Sequence, residues 1–229
     1  MADYGKLYHN LDSDLTAKYP GSSYTLIAVS KTKPFEVVRD AYLQGIRHFG
    51  ENYIPEAIDK FSKLRDEFPE ARESVFLHHI GPVQSGNLRK LFGVFQFTHG
   101  VGSVSSLKEL SKRAAKDKLT IRYFLQINAT GESTKHGFSL EEIQKWKDDF
   151  PTYQNEFCIW EGFMAMGPSS GDPIETRETF KSINQFRKLV FPDKKLSMGM
   201  SGDYELALEE GSNFLRIGSL IFGDRNYAK

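Results

Sequence analysis

Short apolar runs and amphipathic stretches alternate along the sequence. The apolar runs are bounded by glycine, proline or charged residues, which is typical of buried strands. Each run is followed by a stretch in which apolar residues recur every three or four positions, as on one face of a helix. Val37, Val38 and Ala41 form such a face. Pro34 begins that stretch and Gly45 follows it, at the positions that proline and glycine prefer around helices.

The apolar runs predict eight strands, at residues 24–30, 47–51, 75–80, 94–98, 121–128, 158–166, 196–200 and 214–217. The stretches between them predict helices at residues 34–44, 54–67, 86–91, 105–116, 140–149, 174–190 and 203–209. An additional helix at residues 5–18 precedes the first strand, because Leu7, Leu11 and Leu15 lie at helical spacing. Residues 166–173, rich in proline, glycine and serine, predict a long loop.

Strands that alternate with helices predict an α/β fold built from right-handed βαβ units. Eight such units in 229 residues fit a single (β/α)8 barrel of the TIM type, near the small end of its size range. An open doubly wound sheet is the alternative. No linker, fixed-period repeat or low-complexity tract divides the sequence, so we predict one domain over residues 1–229.

Charge and composition exclude several classes of function. Lysines and arginines number 30, as do aspartates and glutamates, which gives no electrostatic argument for binding nucleic acid or an anionic membrane. Cys158 is the single cysteine, so an internal disulfide and a multi-cysteine metal site are excluded. No apolar run approaches the roughly 20 residues of a membrane span, and no apolar signal segment begins the chain. We therefore expect a soluble cytoplasmic protein without a metal site.

A lysine directly follows the first predicted strand. Lys31 shares a strand face with Ile27 and Val29, because alternate residues of a strand point the same way. An amine in apolar surroundings loses proton affinity and becomes a nucleophile that can form a Schiff base with an aldehyde. The alternative is a lysine that reaches out to solvent at the strand end. Lys33, which precedes Pro34, is predicted to be extended and solvated.

The last predicted strand contains an arginine within an apolar run. A buried arginine needs partners, so Arg216 indicates either a ligand site or a structural ion pair. Gly218 and Ser219 follow it, and the N–H groups of such a turn can bind phosphate, which barrels often hold after their last two strands. Ser201, after the seventh strand, can add a hydroxyl. The alternative for Gly218 is an ordinary turn.

Other polar or sulfur-containing residues near strand ends are weaker candidates. Glu51 is either a base or the partner of a nearby lysine. His78 and His79 are adjacent, so in a strand they face opposite ways and do not bind one metal ion together. His99 is predicted to follow the fourth strand. Four methionines are expected in the core or in a pocket lining: Met164, Met166, Met198 and Met200.

Seven stretches of the sequence resemble, in the same order, those of the pyridoxal phosphate homeostasis protein family. They are LIAVSKTKP (26–34), FGENY (49–53), HHIGPVQS (78–85), QINATGESTKHGF (126–138), GFMAMGP (162–168), LSMGMSGD (196–203) and RIGSLIFGDRNY (216–227). Together they cover almost the whole chain. The combination of AVSKTKP, LSMGMS and RIGxxIFG is specific, whereas each alone is weak evidence. That family's fold resembles the barrel domain of alanine racemase, which agrees with the eight predicted units.

The resemblance implies that the protein binds pyridoxal 5'-phosphate (PLP). Lys31, rather than Lys33, would carry the cofactor as a Schiff base. Ser201 and the backbone of Gly218 and Ser219 would hold its phosphate group. These assignments come from the matching motifs and not from spacing or composition.

Two further residues and a function follow from the same resemblance. Arg216 would face the pyridine nitrogen, a known type of partner for this cofactor. Asn52 would lie in the pocket near the cofactor ring. The implied function is intracellular PLP homeostasis, in which a monomeric protein buffers the cofactor. PLP-dependent apoenzymes are candidate recipients.

Two other functions use a similar pocket. A PLP-dependent racemase acting on amino acids needs a second acid or base opposite the cofactor lysine. In alanine racemase-like enzymes that group is a tyrosine from the second domain of a partner subunit, and this sequence ends at Lys229 without such a domain. We therefore expect no robust catalytic turnover. A cofactor-free barrel enzyme acting on a small phosphorylated metabolite is the other alternative.

Overall fold

The computed structural model describes residues 3–84, 86–129 and 136–223. Eight parallel strands form a closed barrel in sequence order, and the last strand pairs with the first. The strands are β1 (Thr25–Val29), β2 (His48–Glu51), β3 (Phe76–His79), β4 (Phe97–Val101), β5 (Ile121–Gln126), β6 (Cys158–Met164), β7 (Lys195–Ser197) and β8 (Phe214–Ile217). The predicted (β/α)8 barrel is confirmed and the open sheet is wrong. The single-domain span of residues 1–229 stays a prediction.

Helices surround the barrel. They are α1 (Tyr4–Lys18), α2 (Phe35–Leu43), α3 (Ile54–Glu67), α4 (Ala71–Ser74), α5 (Val104–Asp117), α6 (Leu140–Lys145), α7 (Pro173–Val190), α8 (Tyr204–Glu209) and α9 (Ser219–Phe222). Short 3-10 helices span Leu88–Leu91, where an α-helix was predicted, and Phe150–Tyr153. Within the described ranges, no helix has both the length and the apolar character needed to cross a membrane.

The additional N-terminal helix, α1, lies outside the barrel against α2 and α9. The Tyr8 hydroxyl donates a hydrogen bond to the backbone oxygen of Leu26 in β1, at 2.8 Å. Gly5 lets α1 approach the end of α2 closely, because a Cβ there would lie 2.6 Å from Cβ of Gln44. Leu15 is buried, as its helical spacing predicts. The prediction of an extra helix before the first strand is therefore confirmed.

Strand β4 lies three residues further along the chain than predicted, at 97–101 instead of 94–98. The apolar residue Phe95 is buried, but its N–H bonds to the oxygen of Leu91 at 3.0 Å and so ends a turn. The strand continues instead through His99 and Gly100. A Cβ at Gly100 would lie 2.0 Å from the oxygen of Gly81, so only glycine fits there. His99 is consequently inside the barrel and not at the strand end.

Strand β7 ends at Ser197, three residues earlier than predicted. Gly199 has φ +93, a left-handed conformation that glycine adopts without strain and that ends the strand. The N–H of Met198 donates a hydrogen bond to the Ser212 hydroxyl at 3.0 Å, and not to the backbone of a neighbouring strand. The chain therefore turns into the top of the barrel just before Ser201.

Two apolar cores stabilise the fold. The larger core fills the space between the strands and the surrounding helices. The smaller one lies inside the barrel and consists of Ile27, Phe124, Met164 and Phe214, with Phe97 and Met166 packed against it. Full burial of such a side chain contributes roughly 1.5–3 kcal/mol to folding. The inner core closes the barrel interior and supports the pocket described next.

Candidate functional site

A cavity of about 720 Å³ opens at the carboxyl ends of the strands. This is the usual position of a barrel's active site, and the volume lies within the usual range for small-molecule pockets. The lining comprises Val29, Lys31, Lys33, Asn52, Ile80, Gly81, Pro82, Gln126, Met164, Met166, Met200, Ser201, Gly202, Arg216, Gly218, Ser219 and Gly223. All six residues predicted to bind a cofactor are in this set. Their individual roles remain predictions.

The two candidate lysines reach the pocket in different ways. Lys31 follows β1 and lines the pocket together with Val29, as the shared strand face predicts. Lys33 also lines the pocket and is half-buried, so its prediction as a solvated residue is wrong. Its amine donates hydrogen bonds to the backbone oxygens of Phe222 at 2.9 Å and Gly223 at 3.2 Å. Lys33 thereby attaches the end of α9 to the pocket wall.

The turn that carries Lys31 is held by a buried lysine of α3. Lys60 donates to the backbone oxygens of Ser30 at 2.9 Å and Lys33 at 3.2 Å, on either side of Lys31. Thr32, between those two oxygens, has φ +66, which is uncommon for a residue other than glycine. The hydrogen bonds of Lys60 therefore fix a strained turn and, with it, the starting point of the Lys31 side chain.

Lys60 is itself held by two carboxylates. Its amine lies 2.6 Å from Glu51 Oε1 and 2.8 Å from Glu56 Oε1. Glu51 is fully buried and also accepts a hydrogen bond from the Ser30 hydroxyl at 2.6 Å. Burial raises the pKa of Glu51, although Lys60 acts against that shift. Of the two sequence-based interpretations of Glu51, the structure supports a lysine partner, since Glu51 does not line the pocket.

Arg216 enters the pocket from inside the barrel and is only 6% exposed. One terminal nitrogen donates to the backbone oxygen and the hydroxyl of Ser197, both at 2.7 Å, and the other donates to the oxygen of Ala165 at 3.0 Å. These partners are neutral, and burial lowers the pKa of Arg216 to about 10. Among the described residues no carboxylate lies within ion-pair distance of Arg216, although the charge of Asp203 acts against the lowering of its pKa.

The predicted phosphate-binding residues lie together at the mouth of the pocket. The N–H of Gly218 donates to the Ser201 hydroxyl at 3.3 Å, and Ser219 follows as the first residue of α9. The Asp203 carboxylate accepts the N–H of Met200 at 2.6 Å and so holds the turn around Ser201. A hydroxyl and backbone N–H groups therefore meet at one place, which suits an anionic group.

Three histidines form a hydrogen-bonded chain inside the barrel that sequence analysis missed. His48 Nδ1 lies 3.0 Å from His78 Nε2, and His78 Nδ1 lies 3.0 Å from His99 Nε2. His99 Nδ1 lies 2.8 Å from the hydroxyl of Ser197, which contacts Arg216. The misplaced fourth strand concealed this chain. Strand alternation could have revealed its first half, since His48 and His78 lie on inward faces.

The histidine chain is kept neutral by its surroundings. Burial lowers the pKa of His78 and of His99 well below the ordinary value. His99 and His48 lower the pKa of His78 further, and Arg216 and His79 lower that of His99 further. Burial also lowers the pKa of His48 to about 4. The rings of His78 and His99 stack on Phe97 and Phe124, each with centroids 4.4 Å apart. Neutral imidazoles are the forms that this apolar interior favours.

His78 and His79 face opposite sides of β3, as predicted. His78 lies among the interior aromatic rings, whereas His79 Nδ1 lies 3.1 Å from the Thr98 hydroxyl and its ring packs against Phe95. Among the described residues no group of three histidines, cysteines or acidic residues could hold a metal ion.

Three of the matching motifs extend beyond the described residues, at Ser85, 130–135 and 224–227.

Comparison with known proteins identifies the class of this barrel. The family model described as alanine racemase, N-terminal domain, matches residues 2–226. Curated relatives named pyridoxal phosphate homeostasis protein include one from Vibrio alginolyticus, 31% identical over 90% of this chain and 88% of its own. Another, from Mus musculus, is 36% identical over 92% of this chain and 80% of its own. The chain belongs to the alanine racemase N-terminal domain family and, within it, to the pyridoxal phosphate homeostasis proteins.

A solved structure of a relative agrees with this assignment. PipY of Synechococcus elongatus, in a form without PLP, superimposes with a TM-score of 0.85 at 30% identity. The match covers 96% of this chain and 100% of PipY. A second structure of PipY has PLP bound and gives a TM-score of 0.82. The predicted family and fold are therefore confirmed.

Proposed function

We propose that this protein binds PLP through Lys31 and serves in PLP homeostasis without robust catalytic turnover. The observation that carries the proposal is that Lys31, Arg216 and the hydrogen-bonded pair Ser201 and Gly218 line one pocket at the carboxyl ends of the strands. The names of the curated relatives and the PLP-bound form of PipY support it.

The pocket fits an anionic cofactor with a basic ring nitrogen. Its described lining contains three cationic side chains, Lys31, Lys33 and Arg216, and no carboxylate. The neutral partners of Arg216 do not neutralise its charge. Ser201 and the N–H groups near Gly218 suit the phosphate. The donor set of the pocket therefore complements both the negative charge and the acceptor atoms of PLP.

Each proposed role follows from the chemistry of one side chain. PLP supplies an aldehyde, with which a lysine amine condenses with loss of water. Lys31 supplies that amine from a turn that Lys60 holds. Arg216 only donates hydrogen bonds, so it would face an acceptor atom of the bound cofactor and would leave the pyridine nitrogen without a proton. An unprotonated ring withdraws electrons weakly, but racemases tolerate this, so Arg216 alone does not decide between a carrier and a racemase.

The ionisable groups of the pocket favour a carrier. In the described lining they are Lys31, Lys33 and Arg216, with no histidine, tyrosine, cysteine or acid. Lys33 donates to the backbone oxygens of Phe222 and Gly223 at the end of α9, which leaves it poorly placed for proton transfer on the cofactor. Transfer to apoenzymes, a monomeric state and a cytoplasmic location belong to the same proposal. They come from the motif resemblance.

The test compares uptake and turnover in three proteins. Wild type and Lys33→Ala, incubated with PLP and desalted, are expected to retain its visible absorbance, whereas Lys31→Ala retains none although it folds. Exchange of the α-proton of amino acids in heavy water, followed by NMR, reports racemase-like turnover and is expected to stay at background. Rapid exchange by wild type would favour the racemase-like alternative. A wild-type protein that takes up no PLP would favour the cofactor-free alternative.

A further inference from the structure

The hydrogen bonds between Arg216 and the histidine chain have one possible direction. A guanidinium group has only donors, so Arg216 donates to the Ser197 hydroxyl oxygen at 2.7 Å. Ser197 is fully buried, and the only other described partner of its hydroxyl is His99 Nδ1, at 2.8 Å. If His99 Nδ1 carried a proton, the hydroxyl proton of Ser197 would have no described acceptor. Ser197 therefore donates to His99.

This direction determines the proton positions of all three histidines. Because His99 accepts at Nδ1, the neutral ring carries its proton on Nε2 and donates it to His78 Nδ1. His78 in turn carries its proton on Nε2 and donates to His48 Nδ1. His48, half-buried at the start of β2, ends the chain. The arginine at the pocket thus sets the tautomer of a histidine at the opposite end of the barrel.

We propose that His99 is a positioning residue for Arg216, which it holds through Ser197 as a fixed donor toward the pyridine nitrogen of the cofactor. The proposal deepens the proposed function and depends on it for the identity of the ligand. The tautomer order within the chain does not depend on any ligand. His99 does not line the pocket, so its influence on the cofactor passes through Ser197 and Arg216.

The two hydrogen bonds of His99 can be removed separately. In His99→Asn the amide oxygen lies near the position of Nδ1 and can still accept from Ser197, but the contact with His78 is lost. In His99→Gln the amide reaches the position of Nε2 and can still donate to His78, but the contact with Ser197 is lost. Both variants lose the ring stacking on Phe124. Faster release of the cofactor by His99→Gln than by His99→Asn therefore reports loss of the Ser197 contact, because His99→Asn has lost the His78 contact and the same ring stacking.

The first measurement concerns the wild-type chain without cofactor. Long-range proton–nitrogen NMR spectra of histidine-labelled protein distinguish Nδ1–H from Nε2–H tautomers. Single His48→Gln, His78→Gln and His99→Gln variants assign the signals. We expect all three histidines as neutral Nε2–H tautomers across the pH range in which free histidine titrates. An Nδ1–H tautomer at His99 would overturn the proposal.

The second measurement is the rate at which loaded protein releases PLP to a trapping apoenzyme. We expect His99→Asn to release it within about twofold of the wild-type rate and His99→Gln roughly tenfold faster, as when one hydrogen bond to a charged group is displaced. Equal release by the two variants would overturn the positioning role. If wild type takes up no PLP, the proposed function fails, and the positioning role fails with it. If wild type takes up PLP but the histidines have the reverse tautomer order, the positioning role is refuted and the proposed function stands.

Discussion

Replacement of Lys60 by methionine tests how the turn around Lys31 is held. Lys60 is 3% exposed and its amine contacts Glu51, Glu56 and two backbone oxygens on either side of Lys31. Methionine replaces the apolar stem up to Cε but removes the amine, with every hydrogen bond and the charge. The change therefore removes the buried ion pair and the hydrogen bonds to the turn together, while leaving the packing of α3 nearly intact.

The expected cost follows from the burial of Glu51. Loss of one partner of a buried ion pair leaves a buried charge and destabilises by about 3–5 kcal/mol. The same helix offers a matched control, since Lys63 pairs with Asp59 at 2.8 Å with the same spacing, but both side chains are more than half exposed. We expect Lys63→Met to cost about 0–1 kcal/mol. The two variants differ mainly in burial.

The cost should also depend on pH. The folded-state pKa of Glu51 is raised by burial above the unfolded value, and loss of Lys60 raises it further. Such a carboxyl binds a proton more tightly in the folded protein than in the unfolded chain. Its ionisation therefore destabilises the fold fully above the folded pKa and not at all below the unfolded pKa of about 4.3. Lys60→Met should therefore be more destabilising at about pH 7 than at about pH 5.

Urea unfolding followed by circular dichroism gives the free energy of unfolding of each variant. The double variant Glu51→Gln/Lys60→Met has lost both charges of the buried pair, so it should recover a large part of the loss. The reasoning would be refuted if Lys60→Met and Lys63→Met lost equal stability at neutral pH. It would also be refuted if the cost of Lys60→Met grew as the pH fell.

Three further changes test the barrel and the pocket. Gly100→Ala should lower the free energy of unfolding in urea by about 2 kcal/mol or more, because its Cβ would lie 2.0 Å from the oxygen of Gly81. The control Gly202→Ala, which has open space around it, should lower it by at most about 0.5 kcal/mol. Ser201→Ala should weaken PLP retention about tenfold in equilibrium dialysis with stability unchanged; unaltered retention would remove Ser201 from the site. Arg216→Lys should release PLP faster than wild type, since an ammonium cannot keep both sets of barrel contacts; equal release rates would argue against Arg216 as a cofactor contact.

The barrel and much of the pocket could be predicted because each depends on local order along the chain. Strand alternation places Lys31 on the face of Ile27 and Val29, and it lines the pocket with Val29. The same rule brings Arg216 to the interior. Eight repeated strand–helix units leave few topologies, since parallel strands need right-handed connections.

The remaining features depend on contacts between segments distant in sequence. Phe95 looks like a strand residue, but it packs beside a turn, and Gly100 continues β4 only because Gly81 lies close to it. The pairing of Lys60 with Glu51 joins α3 to β2, and the histidine chain joins four strands. Apolar periodicity carries no information about such polar contacts inside a barrel.

The central claim is that Lys31 holds the cofactor. Its most direct test is reduction of PLP-incubated protein with borohydride, followed by proteolysis and mass spectrometry to locate the pyridoxyl group. We expect the label on Lys31 in wild type and in Lys33→Ala, and no label in the pocket of Lys31→Ala. A label on Lys33 in wild type, or none in the pocket, would contradict the claim.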